Sequence, residues 1–237
     1  MFSCISQTYK IYQQMTSWPI RSTMTEEANE ALKQYIGIGV GAENAIKAYS
    51  EHGVKYEQYV KALNYNGPQQ TANTAAILLK ENYKAKLLDV GAGSGLVAEE
   101  LSKLGYSNID AVDASEGLLN VANSKGLYGR IVCQLVGHGQ AMPFDDKTYD
   151  MVVICGAMGE NHIPKAALPD IIRVVKPGGY IVNVFREEAL YVPWYEDGLQ
   201  PYMNKLEEEG LWIEFSRHKF PIFIANKEGL VLVHKVL

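Results

Sequence analysis

The chain has 237 residues, 47% apolar and 21% charged, which suits one large α/β domain with a sizeable core better than two domains. Its net charge of −5 and isoelectric point of about 5.6 argue against duplex nucleic acid as a main partner, because phosphate binding needs a concentrated basic face. The three cysteines, Cys4, Cys133 and Cys155, are odd in number and form no C-x-x-C pair. Two of them lie in apolar runs, so buried reduced thiols fit better than disulfides or a metal site.

No stretch reaches the ~18–20 uninterrupted apolar residues of a membrane span, so no membrane partner is expected. The first residues hold no secretory apolar core, and arginine is too scarce there for a typical transit peptide. Residues 1–24 therefore read as a disordered leader on a cytoplasmic protein. From Thr25 to Tyr59 apolar residues recur at helical spacing, broken by Gly37-Ile38-Gly39-Val40-Gly41. That glycine run lacks the following lysine-serine pair of a phosphate loop and reads as a hinge between two helices. Residues 25–66 are thus expected to form a helical lid on a domain spanning 67–237.

Gly67-Pro68 opens a helix predicted from Gln69 to about Tyr83. Strands and helices then alternate. Leu87–Val90 is a strand, Leu96–Leu104 a helix, Ile109–Val112 a strand, and Ser115 caps a helix through Asn123. Ile131–Val136 and Met151–Cys155 are strands, the latter apolar on both faces as a central parallel strand must be. Ala166–Val175 is helical, Tyr180–Phe185 a strand, and Leu199–Glu209 a helix ending in the solvated Glu207-Glu208-Glu209. Two further strands, Trp212–Phe215 and Leu230–Val236, are joined by a long loop. The expected fold is α/β: a doubly wound, mainly parallel seven-stranded sheet with an antiparallel edge hairpin.

The most informative stretch is Leu87-Leu88-Asp89-Val90-Gly91-Ala92-Gly93-Ser94-Gly95, where a strand runs through three alternating glycines into a helix. Glycine lets the backbone turn sharply and approach a ligand, and the helix start offers free N–H groups. A dinucleotide site needs its third glycine one position later, where Leu96 stands. Asp89 would repel a pyrophosphate near the turn but attract the ammonium of a methionine group. Asp113 ends the second strand at the spacing of an acid that accepts from ribose hydroxyls.

These features, with Asp113-Ala114-Ser115, Met142-Pro143-Phe144, Tyr149-Asp150 and Arg173-Val174-Val175-Lys176-Pro177-Gly178-Gly179, resemble the class I S-adenosylmethionine-dependent methyltransferases. Tyr49, Tyr56, Tyr65-x-Gly67-Pro68 and Gly126-Leu127-Tyr128 make the chain similar to the Williams–Beuren syndrome region methyltransferase-like family over roughly Ala45 to Val184. The resemblance implies the Rossmann-like methyltransferase fold and S-adenosyl-L-methionine as cofactor, with S-adenosyl-L-homocysteine as product. It places Gly91, Gly93 and Gly95 along the methionine end, Asp113 on the ribose, and Ala114 and Leu118 beside the adenine. Where relatives carry an acid for the adenine amine this chain has His138, so Gln140 and Ala141 are expected to take that part. Gly156, ending the fourth strand, would sit beside the transferable methyl.

On the acceptor side, His162 in the loop after the fourth strand is the candidate general base, and Glu160 shares that loop. Tyr56 is expected to close over the cofactor as part of the lid. Tyr191, Trp194 and Tyr195 are expected either to wall a pocket for an apolar or aromatic acceptor or simply to cover the sheet edge, whereas His52, His218 and His234 have no convergent partner and read as structural or exposed. The expected function is methyl transfer to a small molecule. A protein methyltransferase or a non-catalytic cofactor-binding protein is the alternative, and a nicotinamide oxidoreductase is the fallback if the glycine spacing misleads.

Overall fold

The computed structural model describes residues 20–237. Helix α1 (Ile20–Ile36) begins inside the stretch expected as a leader; residues 1–19, Cys4 among them, lie outside the described residues. The glycine hinge then turns the chain through Gly39 and Gly41, at φ 79° and 83°, into α2 (Ala42–Ala62). Helix α3 (Gly67–Leu79) has Pro68 in its first turn and stops short of Tyr83, because Lys80 and Glu81 both take positive φ.

The remaining elements are β1 (Leu87–Val90), α4 (Leu96–Lys103), β2 (Ile109–Asp113), α5 (Glu116–Ser124) and β3 (Ile131–Cys133). They continue with β4 (Tyr149–Cys155), α6 (Leu168–Arg173), β5 (Val175–Arg186), α7 (Leu199–Glu208), β6 (Trp212–Ile224) and β7 (Lys227–Val236). The seven strands form one sheet in the order β3-β2-β1-β4-β5-β7-β6. The first five are parallel, and β7 runs antiparallel to both β5 and β6.

Period-two alternation buries both faces of this sheet. Leu88, Val90, Val152 and Ile154 join the core under α6 and α7, whereas Leu87, Met151, Val153 and Cys155 join the core shared with α1–α4. Trp212, fully buried, stacks on His234 at 3.9 Å, so His234 is a core residue whose protonation is held down to about 4 by burial.

The strands depart from expectation in three places. β3 ends at Cys133 rather than Val136, because an edge strand is held from one side only and the chain leaves it at Gln134. β5 starts at Val175 and crosses Pro177-Gly178-Gly179, with its register to β4 broken between Tyr149 and Met151. β6 and β7 form a long hairpin closed at Ala225-Asn226, not two short strands around a loop. The polar run Ser216-Arg217-His218-Lys219 reads as a loop, yet an edge strand exposed to solvent accepts such residues. Cys133 is exposed rather than buried, a correction with the same cause: β3 is the other edge.

Candidate active site

The sheet's strand order reverses around β1, which has β2 on one side and β4 on the other, and a cleft opens at the carboxyl ends of these strands. Gly91, Gly93 and Gly95 turn the chain away from β1 at φ 73°, 55° and 87°, conformations that side chains disfavour. A Cβ on Gly91 would lie 2.2 Å from that of Ala157, so glycine is also required there for close approach to the β4 loop. At the end of β2, Asp113 accepts from the Gly93 amide at 2.9 Å through one carboxylate oxygen and from the Ser115 amide at 2.7 Å through the other. One carboxylate thus fixes both the glycine turn and the start of α5, whose Ser115 hydroxyl accepts from Leu118 N. Burial pushes the Asp113 carboxyl up, and these amides oppose the shift.

A cavity of about 710 Å³, open mouth included, occupies this cleft. Gly91, Gly93, Asp113, Ala114, Leu118 and Gly156 all line it, as do Tyr56 and His162. Its far end is closed by Gln134, Leu135 and Val136. Gln140 and Ala141, expected at that end, are exposed and do not line the cavity; their carbonyls accept from the Gln134 side chain instead. Sequence spacing pointed past the residues that matter because β3 stops early and its continuation walls the cleft.

Asp89 lies beneath the turn, fully buried and not on the cavity wall. One of its oxygens accepts from the Tyr128 hydroxyl at 2.7 Å and the other has no partner among the described residues. Burial raises its pKa to about 7 although the Tyr128 bond opposes this.

The lid is pinned to the loop after β4 by two adjacent residues. Asn161 accepts from Gly41 N at 2.9 Å and donates to the Gly37 carbonyl at 2.7 Å, clasping the glycine hinge. His162 sits between the Glu160 carbonyl at 2.5 Å on Nδ1 and the Tyr49 hydroxyl at 2.8 Å on Nε2. Since a carbonyl can only accept, the proton is on Nδ1 and Nε2 accepts from Tyr49. Burial holds the His162 pKa down at about 4, so the imidazole is neutral at physiological pH. Tyr49 stacks on Tyr35 at 4.0 Å and meets Tyr56 edge-on at 5.8 Å. The Tyr35 hydroxyl in turn pairs with His52 Nδ1 at 2.8 Å, so His52 does have a partner. Helix α2 crosses α5 at Gly53 and Gly117, where a Cβ on Gly117 would lie 2.2 Å from the Ser50 carbonyl.

The aromatic loop after β5 is not a pocket wall. Tyr191 is exposed, Tyr195 is fully buried and accepts from Gly159 N, and Trp194 donates from its indole to the His162 carbonyl and from its amide to Glu160. These residues brace the His162 loop from behind. Tyr65, Asn161, Arg186 and Phe223 approach the cleft without having been expected there. Arg186 and Phe223 carry no local pattern that singles them out, whereas Tyr65 belongs to the Tyr65-x-Gly67-Pro68 motif and Asn161 lies between the candidates Glu160 and His162.

A family model described as a methyltransferase domain matches residues 88–183. Human methyltransferase-like protein 27 is 35% identical over 130 residues, 55% of this chain and 52% of that protein. A demethylmenaquinone methyltransferase of Corynebacterium glutamicum is 36% identical over 141 residues, 60% of this chain and 58% of its own length. The chain therefore spans little more than half the length of the curated relatives it matches. A TehB-like SAM-dependent methyltransferase of Corynebacterium glutamicum superposes with a TM-score of 0.56 at 21% identity, covering 81% of this chain and all of that one. A methyltransferase solved with the Trm112 activator of Haloferax volcanii gives 0.59 at 18%, covering 83% and 97%. Residues 88–183 thus match a methyltransferase-domain model, and the sheet order and glycine turn are consistent with that match.

Proposed function

We propose that the chain is an S-adenosylmethionine-dependent methyltransferase acting on a small molecule. The observation that carries this reading is the cleft between β1, β2 and β4, where an open glycine turn and an anchored carboxylate face one cavity. Its residues fit the cofactor. Each oxygen of Asp113 has one lone pair beyond its backbone bond for a ribose hydroxyl. A Cβ on Gly93 would meet only Leu118, at 3.7 Å, so the backbone is open to a ligand there. Asp89, behind the turn and off the cavity wall, has one oxygen unpartnered among the described residues, so it acts on a methionine ammonium through the turn rather than by contact. Ala114, Leu118 and Leu135 offer apolar surface to the adenine.

When bound, the cofactor supplies a methyl group made electrophilic by its sulfonium sulfur. The chain's own part is orientation, which brings two reactants into line and avoids the entropy of a bimolecular encounter. His162 is a weak base because of its depressed pKa, and its Nε2 is already occupied by Tyr49. It serves as a positioning residue that fixes the Tyr49 hydroxyl at the cavity wall. The relatives named demethylmenaquinone methyltransferase favour a small-molecule acceptor over a protein one. The test is incubation with methyl-labelled S-adenosylmethionine and fractionated metabolites. Label entering a discrete low-mass product supports the reading, whereas label appearing only in protein transfers it to the protein methyltransferase alternative.

A further inference from the structure

A second cavity, about 470 Å³ with its mouth, meets the first at Gly156, Tyr49, Tyr56 and His162. Tyr35, Tyr65 and Phe223 give it aromatic walls, Leu32 and Met158 aliphatic ones. These come from α1, the α2–α3 connection, β6 and the β4 loop, so the lid and the edge hairpin close one space over the sheet edge. Tyr65 and Phe223 meet edge-to-face at 5.1 Å, so aromatic side chains make up much of its lining.

Into this cavity comes Arg186 from the end of β5. Among the described residues it is the one permanently charged residue on the wall of that cavity, and its side chain is 11% exposed. Among the described residues its hydrogen-bond partner is Glu188, through Nη1, and Glu188 also holds Lys227 at 2.7 Å. Two cations share one carboxylate, so the group keeps a net positive charge, and a guanidinium has five donors to one used here. A buried cation with spare donors in an apolar slot favours an anion able to accept in bidentate fashion.

We propose that this second cavity is the acceptor's binding site and takes a flat, apolar molecule carrying an anionic oxygen group, held by Arg186. The inference rests on the methyltransferase reading, since Gly156 joins this slot to the cofactor cleft.

The test uses the protein saturated with S-adenosylhomocysteine and three probes: 2-naphthoate, 2-naphthol and 2-naphthylmethylammonium. Naphthoate should bind tightest, and Arg186→Met should weaken it roughly ten- to hundredfold, the range of one charge-assisted bond, while leaving naphthol unchanged. Phe223→Ala should weaken all three probes. Glu188→Gln, outside the slot, should tighten naphthoate by releasing Arg186. The proposal is overturned if naphthoate shows no saturable binding, binds no better than the ammonium probe, or is indifferent to Arg186→Met. S-adenosylhomocysteine affinity is read beforehand, in the titration that saturates the protein. Its absence would strike the methyltransferase reading, whereas its presence without an anion preference would strike this inference alone.

Discussion

Removing the Asp113 carboxylate should damage both the fold and cofactor binding, by amounts the geometry sets. Asp113→Ala deletes the acceptors for Gly93 N and Ser115 N and leaves two amides unpaired beside a cavity. Bonds to a charged acceptor contribute about 1.5–3 kcal/mol each, and water entering the cavity replaces part of that, so about 3 kcal/mol of stability should go. For a chain of this size that is a fall of roughly 6–12 °C in melting temperature. Two ribose hydroxyls would lose their acceptor as well, weakening S-adenosylhomocysteine by about 2–4 kcal/mol, or roughly 30- to 1,000-fold. Asp113→Asn keeps one acceptor oxygen and should fall between the wild type and Asp113→Ala in both measurements. Thermal unfolding by circular dichroism and calorimetric titration of each variant supply the numbers. An Asp113→Ala variant that melts and binds like the wild type would refute the assignment of this carboxylate as the joint anchor of turn and ribose.

Gly156→Ala puts a Cβ 2.6 Å from the Tyr65 hydroxyl at φ +68°; it should lose about 1–2 kcal/mol from backbone strain and roughly 10²-fold in turnover by misaligning the two cavities. Wild-type turnover from this variant would disprove the junction. Asp89, with its folded pKa raised from 3.8 to about 7, contributes stability that is present below pH 4 and lost as pH rises towards 7. His162 and His234, depressed from 6.5 to about 4, act oppositely, their contribution being lost as pH falls from 6.5 to 4. The difference between wild type and Asp89→Asn isolates the carboxylate: the wild type should lose stability relative to the variant across pH 4–7, and a flat difference counts against a raised pKa. His162→Ala should lower turnover by less than the ~10² of a lost general base, with no inflection near pH 6.5 in the wild-type profile. An inflection there that vanishes in the variant would make His162 the proton acceptor after all.

Much of the fold is legible because its cause is local. The apolar run Met151–Cys155 has to be a central strand, and Ser115 declares a helix start one residue ahead of α5. The glycine turn and Asp113 are legible for the same reason, since backbone geometry at positive φ and a carboxylate at a strand end are fixed within a few residues. What stays hidden depends on distant partners. Arg186 and Phe223 come together with Tyr35 only when the hairpin and the lid pack, and Asn161 reads as a loop residue until the glycine hinge lies against it. The aromatic loop misleads for the converse reason. Tyr195 and Trp194 look like a pocket wall, but their hydroxyl and indole bond the backbone of the His162 loop from the core side. Gly53 and Gly117 are silent as well, because a glycine required by helix contact carries no local mark.

The central claim is that this cleft takes S-adenosylmethionine rather than a dinucleotide, and calorimetric titration of the purified chain tests it most directly. S-adenosylmethionine and S-adenosylhomocysteine should bind saturably with a stoichiometry of one, NAD(H) and NADP(H) far more weakly. Gly93→Val, which places a branched side chain at φ +55° on the cavity wall, should abolish binding of the first pair. Tighter binding of the nicotinamide cofactors, or adenosylmethionine binding that survives Gly93→Val unchanged, would contradict the account.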